Sequence, residues 1–243
     1  MANSNNNIRK AVIKVGYGSL AFDVTEKDGQ QTSYRYALKA NMSVAANLRE
    51  AFKEEHYLHQ QLDEATLVVD TPVVLMPQEE YDAEKLDIET LFASVMTGRK
   101  GEEKMVSKIP ELGCVALYPV NVDLKTVVYD RCNHLEVENF MVPVWKDYYA
   151  RYYEKGKQRR LFAYFHDKTM DVFAFGQRRL QFANHFDATH AHDALYYMLF
   201  VWKQLGMNQQ EDELFIIGEP NHKDWLMTRL KTYVANINQI EGV

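Results

Sequence analysis

Three groups of residues in this chain have the types and spacing for chemistry. The first is Gly16-Tyr17-Gly18-Ser19-Leu20-Ala21, which fits G-x-G-x-x-A behind an apolar run, the pattern of a dinucleotide-binding turn. Such a turn must lead straight into a helix, because the pyrophosphate sits on the helix N-terminus. Here Phe22-Asp23-Val24-Thr25 continues as a strand. The segment therefore reads as a hairpin turn, whose backbone N–H groups can still cradle a phosphate. The second group is His185, Asp187, His190, His192 and Asp193, the densest concentration of metal-ligating types. His190 and Asp193, three apart, can share a helix face, with His185 approaching from a preceding strand. Asp187 and Thr189 acting as caps of a helix explain the same residues without a metal, and that is the reading taken.

The third group is an aromatic stripe, Trp145, Tyr148, Tyr149, Tyr152 and Tyr153, followed by Lys155, Lys157, Arg159 and Arg160, with Arg178-Arg179 further on. Rings beside cations can stack on and neutralise a nucleic acid. A half-buried helix with its tyrosine hydroxyls at the solvent edge accounts for the same spacing. The formal net charge of −6 favours this second reading. Neither a Ser/His/Asp nor a Cys/His constellation has any spacing logic here, and there is no Walker-type phosphate loop. No catalytic residue and no metal ligand is therefore assigned.

Composition bounds the setting. A chain of 243 residues with 47% hydrophobic and 26% charged residues is an ordinary globular one, long enough for one or two domains. Cys114 and Cys132 are too few for a disulfide framework or a four-ligand zinc site, which points to reduced thiols. The opening MANSNNNIRK has no apolar core of a signal peptide, and no apolar run is long enough to span a bilayer. A cytoplasmic location without membrane contact is expected.

The elements that must position these residues occur twice. Residues 11–15 and 20–24 form a hairpin, 34–38 a third strand, 43–59 a helix capped by Ser43, and 66–69 a short buried strand. Residues 161–165, 170–175, 180–186, a helix from about 189 to 205, and 214–217 repeat the series. Phe22 and Phe173 match at an offset of 173 − 22 = 151, Ser43 and Thr189 at 189 − 43 = 146, and Val69 and Ile217 at 217 − 69 = 148. That near-constancy marks a duplicated unit. Two such halves should leave a cleft between them for a ligand.

The middle of the chain, 72–155, has no evident counterpart in the second repeat. It reads as a strand at 73–76, a helix over 83–96, a charged turn at 97–101, and strands at 105–109 and 114–118. A helix over 124–132, a strand at 135–137 and a helix from Pro143 to a Gly156 cap complete it. A last helix is expected from Asp224 to about Asn236.

Two hairpin–strand–helix–strand units around an insertion resemble the actin-like ATPase superfamily, which includes sugar kinases and the heat-shock chaperone ATPase. More closely, residues 12–24, IPELGCVALYPV at 109–120 and above all 193–219 are similar to a bacterial family of uncharacterised proteins assigned that fold. The resemblance implies an α/β protein with a duplicated actin-like ATPase (ribonuclease H-like) fold. Its two lobes, each a mixed sheet flanked by helices, would span 1–155 with the insertion and 156–243.

In active members of the superfamily, an acidic residue near the end of each hairpin's first strand holds water around Mg²⁺, and following glycines admit the ATP phosphates. The matching positions here are Lys14 and Tyr164, with Asp23, Asp167 and Asp171 nearby. Where a Gly-Gly pair would lie beside adenosine stand Gly218 and Glu219. The nucleotide site implied by the resemblance thus comprises Lys14, Gly16, Gly18, Ser19, Asp167, Lys168, Thr169, Gly218 and Glu219, with ATP and Mg²⁺ as its cofactors.

The expected function is a non-catalytic binding or scaffold module with a protein partner, its ATPase motifs degraded. The alternative is an ATP-binding phosphotransferase or ATPase using Ser19, Asp167, Lys168 and Gly218 in the interlobe cleft. Nucleic acid is not expected as a partner.

Overall fold

A computed structural model of the chain describes residues 8–84, 87–96, 101–152, 159–176 and 179–242. Its strands are β1 (Lys10–Val15), β2 (Ser19–Thr25), β3 (Gln31–Ala37), β4 (Leu62–Val69), β5 (Val74–Pro77), β6 (Glu102–Ile109), β7 (Cys114–Asn121), β8 (Cys132–Asn139), β9 (Arg160–His166), β10 (Thr169–Gly176), β11 (Arg179–Asp187), β12 (Glu213–Ile217) and β13 (Asn236–Ile240). The helices are α1 (Val44–Glu54), α2 (Gln78–Asp82), α3 (Ile88–Val95), α4 (Val122–Tyr129), α5 (Met141–Tyr152), α6 (Ala191–Gln204) and α7 (Lys223–Leu230).

Two five-stranded mixed sheets have the same order, β3-β2-β1-β4-β8 and β11-β10-β9-β12-β13. In each, an antiparallel meander of three strands is extended by two parallel ones. A third sheet has the order β5-β7-β6. The described chain divides into two compact units, one of residues 1–71, 88–107 and 117–140 and the other of 72–87, 108–116 and 141–243. Helix α5 falls in the second unit, where its aromatic residues pack on the second sheet.

The first sheet buries one face under its helices, where Ile13, Phe22 and Leu67 lie with Leu48 and Phe52 of α1 among the buried core. Its other face is polar around Lys14, Asp23 and Ser33. The second sheet is buried on both faces. Leu161, Ala163, Phe165, Met170 and Val172 join α6 and α7 in one apolar cluster through Ala194, Met198, Val201, Leu226 and Leu230. On the opposite face Phe162 stacks between Phe173 and Phe215, each at a centroid distance of 5.0 Å, with Tyr148 and Tyr152 of α5 packed above. Rings this close contribute packing beyond the area they bury.

Several sequence expectations change. The insertion is shorter than 72–155, because α4 and β8 are the counterparts of α7 and β13. The last helix stops at Leu230, and β13 replaces its expected end. Thr232, Tyr233 and Val234 are weak helix formers; their N–H groups close turns onto the Arg229 and Leu230 carbonyls, and from Asn236 the backbone pairs in parallel with β12. Within the helix expected over 83–96, α3 covers Ile88–Val95 and residues 85–86 lie outside the described residues, while α2 precedes the span. Cys132 leaves its expected helix to open β8. The turn at 97–100, the Gly156 cap, Tyr153, Lys155, Lys157 and Arg178 lie outside the described residues.

The repeat offset also sharpens. Lys14 pairs with Ala21 and Ala21 with Arg35, while Tyr164 pairs with Asp171 and Asp171 with His185. Each step differs by 150, since 164 − 14, 171 − 21 and 185 − 35 agree. Phe22 is therefore equivalent to Val172 and not to Phe173. A one-residue slip in a strand exchanges its two faces. Phe22 and Val172 both face their helices, and Phe173 faces the other way.

Candidate functional site

The densest chemistry in the second unit lies at the end of the β9–β10 hairpin. Side chains alternate along a strand, and directly paired residues share a face. Tyr164 and His166 on β9, Asp171 on β10 and His185 on β11 must therefore project from the same side of the sheet. His166 Nε2 lies 2.6 Å from Asp171 Oδ2, and His185 Nδ1 lies 3.2 Å from Oδ2 and 3.3 Å from Oδ1. The Thr169 hydroxyl donates to the His166 carbonyl at 3.0 Å and ties the hairpin end.

Asp171 is only 7% exposed, which makes its charge costly unless paired. Burial pushes its carboxyl up, but the hydrogen bonds and charges of His166 and His185 outweigh burial and hold it below the usual range. The candidate ligand atoms of the three residues lie within 4.8 Å of one another. A carboxylate between two imidazoles can relay a proton or hold a metal ion.

This trio was only partly legible in the sequence. His185 lies on β11, the strand from which the sequence has it approach, but its partner there is Asp171 and not His190 or Asp193. The other members of that group disperse. Asp187 accepts the Thr189 N–H at 2.8 Å. His190, not Thr189, is the N-cap of α6. His192 packs on Trp225 at 4.2 Å. Alternation across the 166–171 turn was the signal that could have joined His166 to Asp171.

The residues expected at a nucleotide site fall on two hairpins and one strand end. In the first unit Lys14 ends near Asp23, 3.6 Å away, with both side chains about half exposed. Gly16 and Gly18 form the turn, where the Gly16 N–H donates to the Ser19 carbonyl at 3.0 Å and Gly18 accepts from the Leu38 N–H. A cation at Lys14 opposes Mg²⁺, which needs hard oxygen ligands. These residues therefore do not fit that ion.

In the second unit Asp167 and Lys168 make the β9–β10 turn. Asp167 takes a left-handed φ of 49°, a conformation aspartate tolerates better than most side chains. Thr169 opens β10. Gly218 ends β12 beside the same turn, since β9 and β12 run parallel with Tyr164 opposite Ile217. Its φ is 78°, and a Cβ there would come within 2.4 Å of the Phe165 carbonyl oxygen. Glu219 points to solvent and pairs with Lys223 at 3.0 Å. Asp167, Lys168, Thr169, Gly218 and Glu219 thus share one end of the second sheet.

Of the aromatic stripe, Trp145 and Tyr148 are buried and Tyr149 and Tyr152 half-buried. Tyr148 is fully buried, and Arg159 and Arg160 are held by Asp212 at 2.9 Å and Glu213 at 2.6 Å. Cys114 is buried, and burial pushes its thiol up to about 11, with Glu111 adding to it, which disfavours the reactive thiolate. A cavity of about 340 Å³ in the second unit, lined by Leu75, Met76, Cys114, Leu180 and Phe182, contains none of the expected site residues. Among the described residues, no helix is long and apolar enough to cross a membrane.

The sequence matches, over residues 3–237, the family described as "Protein of unknown function (DUF3822)". The chain belongs to that family. No curated protein matches it. A Bacteroides thetaiotaomicron VPI-5482 protein described as having an actin-like ATPase fold and unknown function superposes with a TM-score of 0.86 at 21% identity, over 99% of this chain and 94% of that one. The PilM–PilN type IV pilus biogenesis complex contains a chain that superposes at 0.53 and 10% identity, over 97% of this chain and 88% of that one. Likeness at such identities is one of fold, and the fold is that of the actin-like ATPases.

Proposed function

We propose that this member of the family is a non-catalytic binding module in the cytoplasm, which uses the actin-like ATPase fold to engage a protein partner. The observation that carries the reading is Lys14. It occupies the hairpin position where a metal-holding carboxylate would serve ATP chemistry, and it leans on Asp23. Phosphoryl transfer is almost entirely positioned charge, so a cation at that position removes its basis. The β9–β10 turn supports the same reading, because it offers Asp167-Lys168 in place of glycines that would let backbone N–H groups approach phosphate.

A partner role is supported by a neighbour of the same fold. A chain of that fold occurs in the PilM–PilN type IV pilus biogenesis complex. On α6, Tyr196 and Phe200 are 61% and 46% exposed and stack on each other, which provides apolar area of the kind that interfaces use.

The test combines nucleotide and partner. Millimolar Mg-ATP should neither raise the melting temperature of the purified chain nor release phosphate, since a ligand bound to the native state must stabilise it. Affinity capture should return a reproducible partner that is lost on the double substitution Tyr196→Ser and Phe200→Ser. A melting-temperature rise that Asp167→Ala abolishes, together with release of phosphate, would establish the phosphotransferase or ATPase alternative instead.

A further inference from the structure

We infer that His166, Asp171 and His185 form a binding site for one divalent transition-metal ion of the zinc type. The donor set is the first ground. Two imidazole nitrogens and a carboxylate suit zinc and its neighbours and are poor ligands for Mg²⁺. Three such ligands, completed by one further oxygen donor, make a tetrahedral site.

Geometry is the second ground. Ligand bonds of about 2.0–2.2 Å place neighbouring donors of a tetrahedron roughly 3.3–3.5 Å apart. His185 Nδ1 already stands 3.2 and 3.3 Å from the two Asp171 oxygens. His166 Nε2, at 2.6 Å from Oδ2, makes a hydrogen bond that must open by less than about 1 Å to admit an ion at the bond lengths of such a site. His166 is the last residue of β9, next to the turn, so this movement requires no break in the ladder.

The third ground comes from the duplication. The equivalent positions in the first unit are Gly16, Ala21 and Arg35, each 150 residues earlier, since 166 − 16, 171 − 21 and 185 − 35 agree. The same strand order forms there with none of the three ligands. Folding of the hairpin therefore does not demand them. A carboxylate 7% exposed between two imidazoles is a costly arrangement for a fold that does without it elsewhere. A bound cation supplies the missing reason. The site does not depend on whether the chain turns over nucleotide.

The experiment uses the full chain, stripped with a chelator and titrated with ZnCl₂ near neutral pH by calorimetry, with metal content measured after dialysis. One zinc per chain is expected, with a rise in melting temperature. CoCl₂ should give the visible bands of a tetrahedral nitrogen–oxygen site, and MgCl₂ should not compete. His185→Ala and His166→Ala should each weaken zinc binding at least about tenfold and abolish the cobalt bands. His190→Ala and His192→Ala should leave both unchanged. The histidine variants keep the test independent of Asp171, whose replacement alone could unfold the hairpin. Absence of zinc binding at micromolar concentration would overturn the inference. So would equal affinity in the His166 and His185 variants, since the ion would then sit elsewhere.

Discussion

The two units are built alike where their strands begin and unlike where they end. At the beginning of β1 the Arg9 N–H donates to Asp63 at 2.7 Å, and at the beginning of β9 the Arg159 N–H donates to Asp212 at 3.1 Å. One residue on, Lys10 pairs with Glu64 at 3.0 Å and Arg160 with Glu213 at 2.6 Å. Both guanidinium groups also reach back to loop carbonyls, Arg9 to Gln60 and Arg159 to Leu205. At the other end, Gly16, Ala21 and Arg35 stand where the second unit has His166, Asp171 and His185. Closing the sheet needs the same clamp twice, whereas the turn end carries no such obligation. Residues there are free to differ, which is why a site can be sought there and not at the clamp.

The largest test of that contrast is Asp171→Ala. It strands two imidazoles beside a buried gap and should cost about 3–5 kcal/mol, the range for breaking a buried charged pair. Urea unfolding would measure it. A cost under about 1 kcal/mol, the range of a surface pair, would show that the trio is not the tight cluster it looks. The next effect concerns Gly218, whose counterpart in the β4 register is Val69. Gly218→Ala must hold a left-handed backbone against the Phe165 carbonyl, and should cost on the order of 2–3 kcal/mol. A thermal melt of the variant with no downward shift would remove the close approach from the description.

Acid comes third. The folded Asp171 carboxyl lies below its ordinary value, so the unfolded chain binds its proton more readily. Its contribution to stability is therefore complete above the ordinary aspartate value of about 3.9 and is lost as pH falls through the lower folded value. Between pH 5 and pH 3 the urea midpoint of the native chain should fall more steeply than that of Asp171→Asn. Parallel curves would count against the pairing. The smallest effect belongs to the first hairpin. Lys14→Ala removes an exposed pair with Asp23 and should change stability by less than about 1 kcal/mol. A larger loss would mean that the first turn end is tied down as firmly as the second.

Much of this architecture was legible in the sequence because its signals are local. Strand alternation, Gly-rich turns and the Ser43 cap each act within a few residues, and Ser43 does accept the Ala46 N–H in α1. What was missed depends on pairing at a distance. β13 joins the second sheet only through β12, and its alternating Asn236-Ile237-Asn238 pattern carries too few apolar residues to announce a strand. The Phe22–Phe173 match was off by one because composition does not record which face a residue takes. His185 lies fourteen positions after Asp171 in the chain yet sits directly opposite it, a fact carried by register alone.

The shared strand order also sets a schedule for synthesis. All five strands of the first sheet have been made once Asn139 is in place, whereas the second waits for Ile240, 240 − 139 = 101 residues later. At ribosomal rates of roughly 5–20 residues per second that delay is about 5–20 s. The first sheet can close while the second is still being made. Segments 72–87 and 108–116, which belong to the later unit, must meanwhile wait for the strands they will join. The order of birth along the chain thus separates two structures that geometry makes nearly twins.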